Sequence, residues 1–285
     1  MSRYPSGGQR VKFRYGIIVM LALIAAAAWL FWKPAADEPP PVYAVDVAAE
    51  YPHDPTAFTE GLFFRDGTLY EGTGEAGSSS VRQVDLKTGK VIRSRDLPFP
   101  YFGEGVISWN DRIYELTWKD QKGFIYNLKD FSPAGTFEYR GEGWGATSNG
   151  RAIIMSDGTP TLRYFDPGTF KQVSSLTVTA HGCPASNLNE LEWIDGEIYA
   201  NIWQTNLIAR IDPRSGKVTS FLDVTGLGPV NPDRDDVPNG IAYDPAQKRM
   251  FMTGKRWPKL YQIRPSRREV MSDAASAISQ CAPKR

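Results

Sequence analysis

A chain of 285 residues with 41% hydrophobic side chains is long enough to bury one large core or two average ones, so disorder is confined to its ends. Its 33 basic and 32 acidic residues are scattered and leave a net charge of +1, which excludes a basic footprint for nucleic acid. Two histidines, His53 and His181, are too few for a three-histidine metal centre and leave a histidine-dependent nucleophile only two candidate bases.

In chain order, a basic segment (1–15) carrying Arg3, Arg10, Lys12 and Arg14 precedes an unbroken apolar run (16–32) closed by Lys33. That charge bias predicts an N-terminus held inside and a body exported to the periplasm. Trp29 and Trp32 sit where interfacial anchors belong. The expectation is therefore a retained signal-anchor helix, single-pass in the inner membrane; cleavage after Ala35 or Ala36, releasing the protein to the periplasm, is the alternative. Residues 33–41, with three consecutive prolines, read as a stiff linker. The body spans 42–269, and a short amphipathic helix or tail follows at 270–285. Cys183 and Cys281 are the only cysteines. An oxidising compartment allows them to pair, and the sequence leaves open whether they meet.

Within the body, five segments repeat one pattern: a polar or aromatic residue, usually Gly next, an apolar strand, a turn and a second strand. The leading residues are Glu60, Glu104, Trp144, Glu190 and Asn239, and the turns are Asp66-Gly67, Asn110-Asp111, Asn149-Gly150, Asp195-Gly196 and Asp244-Pro245. Each unit continues into another two-strand pattern, as in Val84–Val91 and Ile211–Val218. Four short strands per unit at this spacing predict an all-β, five-bladed β-propeller, with Val42–Ala48 as the strand that completes the last blade.

In a propeller the first strand of each blade lines the central channel, so the five leading residues form a ring at one mouth. A second equivalent set reads Gly74, Trp118, Asp157, Trp203 and Lys255. At any single position a glycine that serves tight packing, or an aromatic in an inter-blade core, is the more frequent explanation. Several ionisable groups converging on one narrow mouth shift the balance toward a functional site, because they repel and desolvate one another unless paired or used.

These segments resemble the plant and bacterial type of glutaminyl-peptide cyclotransferase, the propeller glutaminyl cyclases. The resemblance runs from about Tyr51 to Ile263 and rests on Ala57–Leu62, Tyr101–Gly105, Gly143–Gly145, Leu188–Trp193, Ala200–Asn206 and Thr253–Lys259. It implies conversion of the N-terminal glutamine of peptides or proteins to pyroglutamate with release of ammonia, without a catalytic zinc; a monomer with no metal and no cofactor is expected. It also implies roles: Glu104 as proton shuttle, Asn189 and Lys255 as polar catalytic anchors, Trp144 and Trp203 as substrate-holding rings, Phe58 and Phe102 as apolar walls. Glu60 stands where that family usually carries Gln, so a group able to donate becomes a carboxylate that accepts unless protonated.

The chemistry suits these side chains. An α-amine attacking its own side-chain carbonyl must lose a proton, and the departing nitrogen must gain one; a single carboxylate does both. Two other readings compete: a lactonase-type propeller holding Ca²⁺ through Asn239 and the acidic ring, and a non-catalytic periplasmic scaffold.

Overall fold

The computed structural model describes residues 38–230 and 232–281. The basic segment, the apolar run and the start of the linker lie outside the described residues. What is described is all-β with almost no helix.

The first strand is β1 (Val42–Pro52). Unit 1 comprises β2 (Thr59–Arg65), β3 (Thr68–Thr73), β4 (Ser80–Val84) and β5 (Val91–Asp96). Unit 2 comprises β6 (Gly103–Trp109), β7 (Arg112–Thr117), β8 (Lys122–Asn127) and β9 (Pro133–Glu138); unit 3 comprises β10 (Ala146–Ser148), β11 (Ile153–Met155), β12 (Thr161–Phe165) and β13 (Gln172–Thr177). A two-stranded hairpin, β14 (Thr179–Ala180) and β15 (Cys183–Pro184), leads to unit 4: β16 (Leu188–Ile194), β17 (Glu197–Ile202), β18 (Leu207–Ile211) and β19 (Val218–Asp223). Unit 5 contains β20 (Pro238–Asp244), β21 (Arg249–Gly254) and β22 (Lys259–Glu269), and the helix α1 (Asp273–Ser279) follows.

Local chemistry explains the hairpins. Asp66 and Gly67 both take positive φ, as do Asp195 and Gly196, the twist that two-residue loops between antiparallel strands require. In the outer hairpins an aspartate caps the turn: Asp85 Oδ1 and Asp166 Oδ1 each accept from the backbone N of a threonine three residues on, at 2.8 Å. Burial falls from inside to outside. Nearly all of β2 is buried, whereas every residue of β5 is exposed.

Units 1, 2 and 3 are separate antiparallel sheets in chain order, and β1 joins units 4 and 5 by running parallel to β19 and antiparallel to β22. The N-terminal strand thus completes the last unit, as its alternation predicts. Innermost strands meet in cyclic order: β2 packs on β6, β6 on β10, β10 on β16, β16 on β20 and β20 on β2. Apolar faces fill the gaps between units, with Phe63, Tyr70 and Val81 against Val106, Ile113 and Tyr126 on one side of unit 1, and Leu62, Leu69 and Val84 against Ala242, Phe251 and Leu260 on the other.

Glycine sets how closely the innermost strands approach. A Cβ on Gly145 would lie 2.1 Å from Asn189 O, and one on Gly105 2.7 Å from Ala146 N, so neither position admits a side chain without moving backbone. Cys183 and Cys281 form a disulfide that ties the end of the chain to β15, the pairing that the sequence left open.

Candidate active site

The site lies where the innermost strands begin. Pairing of the first and second strands jumps register between Thr59 and Gly61, Gly103 and Val106, Leu188 and Leu191, and Pro238 and Ile241. Just before each jump, a residue after the second strand donates its backbone N to a carbonyl: Gly74 to Phe58, Trp118 to Phe102, Trp203 to Asn187 and Lys255 to Val237. Two residues beyond those carbonyls stand the true equivalents, Glu60, Glu104, Asn189 and Asn239.

This frame corrects the expectation for unit 4. The leading residue is Asn189, and Glu190 occupies the position that Gly61, Gly105 and Gly240 fill elsewhere. Glu190 is absent from the lining of the cavity and accepts hydrogen bonds from Ile241 N (2.8 Å) and Leu62 N (3.3 Å). Burial, then the neighbouring Glu192 charge, pushes its carboxyl well above the usual range. Asp157 also falls outside the lining; it pairs with Arg163 Nε at 3.3 Å. Gly74 leaves room for a neighbour, since a Cβ there would come within 2.4 Å of the Phe102 ring.

All eight site residues named from sequence, Phe58, Glu60, Phe102, Glu104, Trp144, Asn189, Trp203 and Lys255, line one cavity of about 320 Å³. Trp118 and Asp235 line it too and were not among the eight. Trp118 belongs to the second equivalent set, so the repeat carried its signal. Asp235 sits on the connection between units 4 and 5, where no repeat exists to flag it.

Phe58 and Phe102 meet edge to face at 6.1 Å, Phe102 and Trp118 lie 5.7 Å apart, and Trp144 meets Trp203 edge to face at 5.7 Å. Lys255 Nζ donates to Glu60 Oε1 at 2.7 Å and lies 4.5 Å from the Phe58 ring centre. Asn239 Nδ2 donates to Glu60 Oε2 at 3.0 Å. Asn189 Oδ1 is buried without a protein partner among the described residues.

Glu60 and Glu104 are both buried and both line the cavity. Burial pushes Glu104 well above the ordinary carboxylate range, and the Glu60 charge pushes in the same direction. Burial also raises Glu60, against the pull of Lys255 and Asn239. Glu60 holds the cation and the amide donor, so of the two carboxylates Glu104 has the higher proton affinity. An acid of raised proton affinity, walled by aromatic rings and open to a cavity, defines a site for moving a proton on a small bound group.

The comparisons with known proteins agree on the family. Residues 19–265 match the family described as glutamine cyclotransferase. The chain is 40% identical over 267 residues to a glutaminyl-peptide cyclotransferase of Arabidopsis thaliana, covering 88% of this chain and 83% of the relative. It superposes on the crystal structure of Myxococcus xanthus glutaminyl cyclase with a TM-score of 0.75 at 35% identity, covering 81% of this chain and all of the other. The chain belongs to the glutamine cyclotransferase family.

Proposed function

We propose that the protein is a glutaminyl-peptide cyclotransferase, releasing ammonia from an N-terminal glutaminyl residue to leave pyroglutamate, with Glu104 as proton shuttle. The observation that carries this reading is the buried Glu60–Glu104 pair in the lining of an aromatic cavity. The α-amine attacks the side-chain carbonyl carbon and a C–N bond forms. The amine proton passes to Glu104, and Glu104 returns a proton to the amide nitrogen, which leaves as ammonia when its C–N bond breaks. The Asn189 amide and Lys255, both in the cavity lining, are the donors assigned to the oxyanion of the tetrahedral intermediate. Trp144, Trp203 and the phenylalanines supply faces against which the glutamine side chain folds back on its own amine, the near-attack geometry that ring closure needs. Incubation with a Gln-initiated peptide tests the reading: ammonia release and a mass loss equal to ammonia are expected, and an intact peptide overturns it.

The calcium-holding alternative lacks a donor set: among the described residues no three His, Cys, Asp or Glu side chains come together to hold a metal ion. We infer a five-bladed propeller from the cyclic order of the innermost strands and the closure by β1. The Cys183–Cys281 bond supports an oxidising compartment, in line with export directed by the apolar run at 16–32. We further propose retention in the inner membrane and action as a monomer. Recovery in the soluble periplasmic fraction with an N-terminus beyond Ala35 would overturn retention, and light scattering tests the monomer.

A further inference from the structure

Two rings of the cavity hang from one carboxylate that is not itself part of the lining. Trp118 Nε1 donates to Glu142 Oε2 at 2.8 Å, and Trp144 Nε1 donates to the same oxygen at 2.9 Å. Trp118 follows the second strand of unit 2, whereas Trp144 precedes the first strand of unit 3, so Glu142 ties rings from neighbouring units. One carboxylate oxygen has lone pairs for two donors, and its charge strengthens both bonds.

The backbone that carries the carboxylate is itself held in place. Arg163, on β12, donates to Glu142 O at 2.6 Å, and Gly143 N donates to Trp118 O at 3.0 Å. Trp144 is further confined by Trp203 and by Gly158, where a Cβ would come within 2.7 Å of its ring. An indole whose N–H is engaged and whose ring is packed keeps one rotamer. This matters because the proposed reaction depends on folding a flexible side chain against those rings.

We propose that Glu142 is a positioning residue for the cyclisation, one that fixes Trp118 and Trp144 as the walls against which the substrate glutamine folds. The proposal rests on the reading of the cavity given above. The Glu142 charge also raises the proton affinity of Glu104, after burial and the Glu60 charge, so clamp and charge must be separated experimentally.

Glu142→Gln keeps a carbonyl oxygen for both indoles and removes the charge; Glu142→Ala removes both. Steady-state kinetics on a Gln-initiated peptide, with near-ultraviolet circular dichroism of each protein, distinguish them. Loss of the clamp is expected to raise KM about 10-fold in Glu142→Ala, the size of a lost hydrogen bond to a charged group, and to weaken the tryptophan bands. Glu142→Gln is expected to stay within about 2-fold of wild-type KM, with native tryptophan bands and an acid limb displaced to lower pH. Equal damage in both variants, or a wild-type KM in Glu142→Ala, overturns the proposal. Should wild type not turn over the peptide, the functional reading fails; the tryptophan bands then decide the clamp alone, and unchanged bands in Glu142→Ala overturn it.

Discussion

At the scale of single residues, Glu104 is the group on which the proposed mechanism turns. Glu104→Gln keeps shape and hydrogen-bonding capacity but removes the exchangeable proton. Turnover is expected to fall by at least about 10²-fold, the lower end for a lost general acid–base, while KM moves far less. Measurement of kcat and KM for this variant against wild type decides it. Glu60 acts through Glu104: its negative charge adds to the effect of burial in raising the neighbour's proton affinity. Glu60→Gln removes that charge, so Glu104 ionises at lower pH and the acid limb of the kcat/KM profile is expected to move down in pH. An unmoved limb would show the two carboxylates to be uncoupled. Glu104 was legible in the sequence because a repeat fixed its place on the first strand of a unit. In unit 4 the repeat pointed to Glu190 while the family resemblance named Asn189; the two are adjacent polar residues, and only the register of the bulge tells which faces the cavity.

At the scale of elements, the connection from β1 to β2 is pinned by a buried ion pair. His53 Nε2 lies 2.9 Å from Glu71 Oε1 on β3, and His53 Nδ1 lies 2.5 Å from Trp257 O. Burial alone would lower the His53 pKa, but the Glu71 carboxylate, with the Trp257 carbonyl and Asp54, holds it above 6.5; burial alone would raise Glu71, but His53, with Arg82 and Thr59, holds it below 4.5. The signs set the window. The Glu71 contribution is present above about 4.5 and is lost as pH falls through the lower folded value. The His53 contribution is present below about 6.5 and is lost as pH rises through the higher folded value. Glu71→Ala leaves His53 without its buried partner, and a loss of about 3–5 kcal/mol is expected by urea unfolding near pH 6. A loss that does not change between pH 5.5 and pH 9 would rule out the ion pair as its source. Strand pairs and turns were legible here from Asp-Gly and Asn-Asp punctuation. The ion pair was not, since nothing local links residue 53 to residue 71.

At the scale of the whole molecule, both ends of the described chain act as closures. β1 joins units 4 and 5, and the Cys183–Cys281 bond returns the C-terminal tail to β15. Alternation made the first legible in the sequence. The second required a distance in space, which two cysteines separated by 98 positions do not disclose. A cross-link of that span restricts the unfolded chain strongly, about 4–5 kcal/mol in the chain-entropy model, with strain and residual structure in the unfolded state reducing what is measured. Within the native fold the bond holds little beyond α1, whose buried contacts are Ala275 and Ser279. The two effects separate in a denaturation experiment on Cys281→Ser. Relief of the unfolded state lowers the urea midpoint and raises the slope m, because the open chain exposes more surface. Detachment of α1 alone would instead appear as local loss of hydrogen-exchange protection at 273–279 with the global midpoint unmoved. We expect a lowered midpoint with a steeper slope, since the cross-link encloses all of unit 4 and all of unit 5 except β1.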